Sequence, residues 1–257
     1  LMVVDAAGNQ SAVSSDAIGL DQTPPTLTSI TLAGGTTYTT NQTVSTASVA
    51  SDMGAGASGL SQLQLSNDAF ATAPSTFAYQ SPVNFQLAAG DGAKTVSGRV
   101  TDNAGNVSAV TTDAITLDQT PPTGSISINA GAAYTQSATV SVAVTANEAG
   151  SGVNKMCPKI TAAGVAATAP TGPGDACFVA FGTPFNTSLA LEGDRQVSLW
   201  LTDMAGNVGG PLVDTIFFDA TVPAAPTGLS INASHRTLSM NWLSASEPGG
   251  AAGSGVA

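Results

Sequence analysis

Charge is scarce in this chain, and positive charge is scarcest. Only 9% of its 257 residues are charged, and 17 acidic residues against six basic ones leave a formal net charge of −11. The basic residues are Lys94, Arg99, Lys155, Lys159, Arg195 and Arg236, too dispersed to form a stripe. With nothing to neutralise phosphates, nucleic acid and anionic membrane surfaces are not expected as partners. No run of about 18 apolar residues occurs, so no membrane span is expected in this segment. The sole histidine is His235, and no Ser-His-Asp or Cys-His arrangement can be built around it. The chain is therefore expected not to be an enzyme. It also starts without a methionine or signal peptide. Leu1-Met2-Val3-Val4-Asp5 reads as the middle of a strand, which suggests a window on a longer protein.

Turn-forming residues, by contrast, are abundant. Gly and Pro number 28 and 14, and Ser, Thr and Asn are spread throughout. Val, Ile, Leu and Phe recur at alternating positions, which is too patterned for a disordered linker. No segment keeps a 3.6-residue period, so helix should be minimal.

The strongest pattern is an internal repeat. Asp-x-Ala-Gly-Asn occurs at Asp5 to Asn9, Asp102 to Asn106 and Asp203 to Asn207, with spacings of 97 and 101 residues. A second aspartate follows 11 residues after each first one (Asp16, Asp113, Asp214), and a third follows after 16 (Asp21, Asp118, Asp219). Gln22-Thr23-Pro24-Pro25-Thr26 and Gln119-Thr120-Pro121-Pro122-Thr123 come next, with Ala220-Thr221-Val222-Pro223 as a variant. A period near 100 is a whole domain, and the prolines keep the junctions extended. The expected parts are 1–21, the last two strands of a preceding domain; 22–118 and 119–219, two complete domains; and 220–257, a truncated one.

Within 22–118, strands are predicted at Leu27 to Leu32, Val44 to Val49, Leu60 to Leu65, Phe77 to Tyr79, Val83 to Leu87, Thr95 to Thr101 and Val107 to Leu117. Short strands at this spacing argue for a two-sheet sandwich. The fold class is all-β: tandem immunoglobulin-like sandwiches arranged end to end.

The run from Val100 to Ser108 (Val-Thr-Asp-Asn-Ala-Gly-Asn-Val-Ser), followed by Leu117-Asp118-Gln119-Thr120-Pro121-Pro122, resembles bacterial Ig-like repeats of large surface adhesins. The Ser58-Gly59 and Ser151-Gly152 pairs fit the same pattern, and the resemblance covers about residues 1 to 219. The tail differs. Pro223 to Ser230, then Leu238-Ser239-Met240-Asn241-Trp242, looks like the first two strands of a fibronectin type III domain, with Trp242 in its core. These resemblances imply a secreted or cell-surface bacterial setting and a structural or adhesive role as a stalk or fibre. Alternatives are accessory spacer or carbohydrate-binding modules of a secreted polysaccharide-degrading enzyme, or the subunit of an extracellular filament. Expected partners are neighbouring domains of the same array, or a glycan or another surface protein.

In such sandwiches three groups should meet at each inter-domain junction. At the first these are Asp21, Asp52 and Asp102 with Asn106; at the second, Asp118, Asn147 with Glu148, and Asp203 with Asn207. Ca²⁺ takes six to eight oxygen ligands of this sort and would stiffen a rod. The competing reading is that these side chains hydrogen-bond nearby backbone N–H groups. Cys157 and Cys177 flank an insertion in 119–219, and an oxidising compartment favours their pairing. Such a bridge stabilises by about 3 kcal/mol in the loop-entropy picture; two buried thiols are the alternative. Trp200, between inward-facing Leu199 and Leu201, should point outward and either contact a partner or pack against an adjacent strand's long side chain or the insertion.

Overall fold

The computed structural model describes residues 1–16, 18–54 and 56–243. It is 51% strand and 2% helix, and it divides into two compact units, Leu1–Leu117 and Asp118–Ala257. The all-β expectation holds.

The first unit contains β1 (Thr26–Leu32), β2 (Tyr38–Thr39), β3 (Thr43–Ser51), β4 (Leu60–Ser66), β5 (Ser75–Ala78), β6 (Val83–Gln86), β7 (Gly92–Asp102) and β8 (Thr111–Leu117). They form a three-stranded sheet, β1-β3-β6, and a five-stranded sheet, β2-β8-β7-β4-β5. Pairing is antiparallel except between β2 and β8. Because successive side chains on a strand point to opposite faces, β3 buries Val44, Thr46 and Ser48 and exposes the residues between them. The inward sets of both sheets close on one core, with Leu32, Val44 and Phe85 from one side and Leu63, Leu65, Val96, Val100 and Leu117 from the other. That is a β-sandwich.

Beyond small shifts of strand ends, two departures from the sequence expectation stand out. Tyr38–Thr39 is an additional short strand, and the last strand begins at Thr111 rather than Val107. Ser108 accounts for the shortening. Its hydroxyl accepts from Val100 N at 3.0 Å and donates to Ala109 O at 2.8 Å, so a side chain replaces part of the ladder. Val107 keeps only an isolated bridge to Thr101.

The second unit repeats the plan with β9 (Thr123–Ile128), β10 (Tyr134–Thr135), β11 (Thr139–Asn147), β12 (Val153–Ala162), β13 (Val179–Ala180), β14 (Phe185–Ser188), β15 (Gly193–Asp203) and β16 (Val208–Phe218). Its sheets are β14-β11-β9 and β10-β16-β15-β12-β13, around a separate core that includes Ile128, Val142, Leu189, Leu199 and Leu201.

The flanking segments carry less. Within 1–21, expected as two strands, the described residues form a turn closed by one bridge, Val4 to Gln10, with Leu1 and Ile18 exposed. No sheet among the described residues covers them, and an isolated hairpin is marginal in water. In the tail, β17 (Thr227–Ser234) and β18 (Thr237–Leu243) pair as predicted. Trp242 is 59% exposed, however, and Leu238 and Met240 are exposed beside it. The core role expected for Trp242 belongs to a domain whose further strands lie outside the described residues, so this exposure does not decide it. The remainder of the domain expected over 220–257 lies outside the described residues.

Candidate functional site

The repeated aspartates are the chemistry the two sandwiches share. The leading one folds its own turn. Asp102 accepts Asn106 N at 2.8 Å and Asn106 Nδ2 at 2.9 Å, and Asp203 does the same with Asn207 at 2.9 and 2.7 Å. Asp5 repeats the geometry with Asn9, and those bonds, the Asn9 amide first, hold its carboxyl below the usual aspartate range. Gly105 and Gly206, at φ of 96° and 101°, supply the left-handed residue this turn needs.

The asparagine then reaches the linker. Asn106 Nδ2 donates to Asp21 O at 3.1 Å, and Asn207 Nδ2 donates to Asp118 O at 2.9 Å. The linker aspartates answer with their carboxylates. Asp21 accepts Thr23 N at 3.1 Å and Ser58 N at 2.8 Å; Asp118 accepts Thr120 N at 3.2 Å and Ser151 N at 2.8 Å. The Thr23 backbone bond leads in lowering the Asp21 carboxyl from its ordinary value. The serines of the two Ser-Gly pairs complete the ring, since Ser58 Oγ accepts Ala104 N and Ser151 Oγ accepts Ala205 N.

These bonds draw two acidic groups together. Asp21, Asp52 and Asp102 each bring a carboxylate oxygen within 4.8 Å of the others in the first unit, and Asp118, Glu148 and Asp203 do so in the second. That span is about twice a calcium–oxygen distance. Each group is built from one unit's residues, and Asp102, Asp118 and Asp203 are no more than 2% exposed. The groups differ at one member. Glu148 commits Oε1 to Gly150 N at 2.7 Å and Oε2 to Gly152 N. Asp52 commits only Oδ2, to Gly59 N at 2.7 Å; its Oδ1 is buried without a hydrogen-bond partner. Asn147 ends β11, with its carbonyl accepting from Thr123 Oγ1 at 3.4 Å.

The middle aspartate of each repeat stood out in the sequence only by its fixed offset. Asp113 Oδ2 accepts Leu32 N at 2.8 Å, and Asp214 Oδ2 accepts Ile128 N at 2.8 Å, tying the last strand to the first strand of the opposite sheet. Asp68 and Asp175 escaped notice because they belong to loops of unequal length. Ser66 and Thr72 hydroxyls hold the Asp68 carboxyl low, and the Cys177 and Thr171 backbone N–H groups hold that of Asp175 low.

Cys157 and Cys177 form a disulfide. Trp200 lies opposite Cys157 in the β12–β15 register, outside the core cluster, yet is only 4% exposed. That burial leaves no open indole for the partner contact expected at Trp200, and the long side chain of the adjacent strand lies on it, with Lys159 Nζ 5.7 Å from its ring centroid. In the first sandwich the equivalent Arg99 stacks on Phe70 at 4.3 Å, so cation and ring exchange places between the two copies.

Strand order and paired cores define tandem immunoglobulin-like β-sandwich modules. No protein-family model and no curated protein matches the chain. Solved structures that resemble it are fibronectin(III)-like modules of Clostridium thermocellum CbhA (11% identity, 74% of this chain and 94% of that one, TM-score 0.40). A tetra-tandem repeat in the extending region of a large adhesion protein also matches (20% identity, 90% and 58%, TM-score 0.31). So do the FN1–FN3 domains of chicken CNTN1 (11% identity, 85% and 74%, TM-score 0.31).

Proposed function

We propose that this chain is a structural and adhesive segment, a stalk or fibre, of a long extracellular bacterial protein, and that it is not catalytic. One observation carries the reading. In each complete sandwich, all three repeated aspartates are engaged in architecture: one folds the turn, one ties first strand to last, one fastens the linker. The disulfide fits an oxidising, extracellular compartment. With Trp200 covered, the alternative of a carbohydrate-binding accessory module lacks its aromatic platform.

The test is to pull single molecules of the chain and, separately, to screen it on a glycan array and against polysaccharides. Two independent unfolding events with no glycan retained and no hydrolysis support a stalk segment. Glycan capture or turnover overturns it in favour of the enzyme-associated reading, and a native mass in multiples of the chain favours a filament.

The same reading includes Ca²⁺ at the acidic groups. Three carboxylates within 4.8 Å repel, their partners are neutral N–H and hydroxyl groups, and Asp52 Oδ1 has none. A cation at about 100 times its Kd adds about 2.7 kcal/mol. Calcium should therefore raise the melting temperature by several degrees over chelator, and Asp52→Asn should shrink that difference. Identical melts reject calcium without touching the structural role.

A further inference from the structure

The second sandwich carries a disulfide-closed excursion unlike anything in the first. After β12 the chain makes an excursion over residues 163–178 before rejoining the sheet edge at β13, and Cys157–Cys177 closes it at a sequence separation of 20. The matching loop of the first sandwich, 67–74, has no cysteine. Cys157 is fully buried and pairs in register with Trp200, so the bridge is anchored beside the indole.

What else holds the excursion down is polar and sparse. Lys159 Nζ, above the indole, donates to Thr168 O at 2.8 Å, and Thr161 Oγ1 donates to Val165 O at 2.7 Å. Asp175 accepts Thr171 N and Cys177 N, each at 3.1 Å, which folds the far end into a turn. None of residues 163–178 is buried, and none belongs to the core cluster of the unit. Gly, Ala, Thr and Pro dominate the segment, and Val165 is 54% exposed. An excursion with no buried apolar residue recovers little of its ordering entropy. The covalent closure therefore decides whether it stays down.

We propose that residues 163–178 are a redox-released cover for Trp200. A dithiol thiolate attacks Sγ of Cys177, the half-exposed partner, and the S–S bond breaks to leave Cys157 as thiolate, which takes a proton. The second thiol of the reductant resolves the mixed disulfide and leaves as a cyclic disulfide, and Cys177 takes the other proton. Two electrons reach the protein, two thiols result, and the excursion lifts from the indole while the core beneath stays closed.

The test uses the full chain carrying Trp242→Phe, which makes Trp200 its only tryptophan. Emission and acrylamide quenching are recorded before and after dithiothreitol, with alkylation mass confirming two free thiols. The expected result is a red shift and at least a twofold rise in the quenching constant, with the calorimetric transition of the second sandwich retained. Cys177→Ser on the same background should give the exposed spectrum without reductant. Two alkylated thiols with unchanged emission and quenching overturn the proposal, since the cover then holds without its bridge. Loss of the second sandwich's transition overturns it too, because the bridge is then a staple of the whole domain.

Discussion

Two hydroxyls lie in the first core where the second has methyl groups, and this contrast gives a sharp stability prediction. Thr46 and Ser48 of β3 correspond to Val142 and Val144 of β11: Leu32 pairs with Thr46 as Ile128 pairs with Val142. Thr46 is 0% exposed, and neither Thr46 Oγ1 nor Ser48 Oγ has a hydrogen-bond partner. A buried hydroxyl left unpaired costs about 1–3 kcal/mol, and valine has nearly the shape of threonine. Thr46→Val should therefore stabilise the first sandwich by about 1–2 kcal/mol. For a domain near 100 residues each kcal/mol moves the midpoint by about 4–8 °C. Scanning calorimetry of the full chain should resolve two transitions, one per core, with Thr46→Val raising one of them. Val142→Thr should lower the other by a similar amount, which also assigns the peaks. If Thr46→Val leaves its transition in place or lowers it while Val142→Thr destabilises as expected, the Thr46 hydroxyl is satisfied in solution and the reasoning fails.

Asp113→Ala leaves the buried Leu32 N–H without its acceptor, so the first transition should fall by about 1–3 kcal/mol while the second stays put in the same calorimetric scan. Trp200→Ala, made with the disulfide intact, should destabilise the second sandwich by about 3–5 kcal/mol, read as the shift in its denaturation midpoint. The folded-state carboxyls of Asp21, Asp68 and Asp175 lie below their usual 3.8, each held there by hydrogen bonds to its ionised form. Depressed values mean stability that is complete above the unfolded pKa and lost as pH falls through the folded one. Melting temperature should be flat above about pH 5 and drop below the usual aspartate range, and Asp68→Asn should flatten that acid limb.

The repeat made the modules legible, because identical offsets of Asp and Asn carry the same turn and linker bonds in each copy. Those offsets also marked Asp113 and Asp214, but their role could not be read from local pattern. Their acceptor bonds reach 81 and 86 residues back to another sheet, and only the facing of the two sheets makes that contact. Alternation placed Trp200 on the outer face. It gave no means of choosing between an open indole and a covered one, since what packs on that face comes from other elements, Lys159 of β12 among them. Trp242 is a different case. Its strand and phase were readable, but burial needs a second sheet, and alternation within one hairpin does not supply it. The acidic groups were legible as neighbours. Their hydrogen-bond saturation was not, because glycine N–H groups, invisible in composition, take up both oxygens of Glu148 and only one of Asp52.

A chain drawn from both ends passes its tension into a sandwich at the first strand and out at the last. In the first sandwich these two strands, β1 and β8, are stitched twice, by Asp113 to Leu32 N and by Thr111 Oγ1 to Leu27 O at 2.9 Å. In the second, leucine stands at the position of Thr111, and the Asp214 stitch remains. Rupture under force then has a built-in order: the second sandwich yields first and the first acts as the stiffer link.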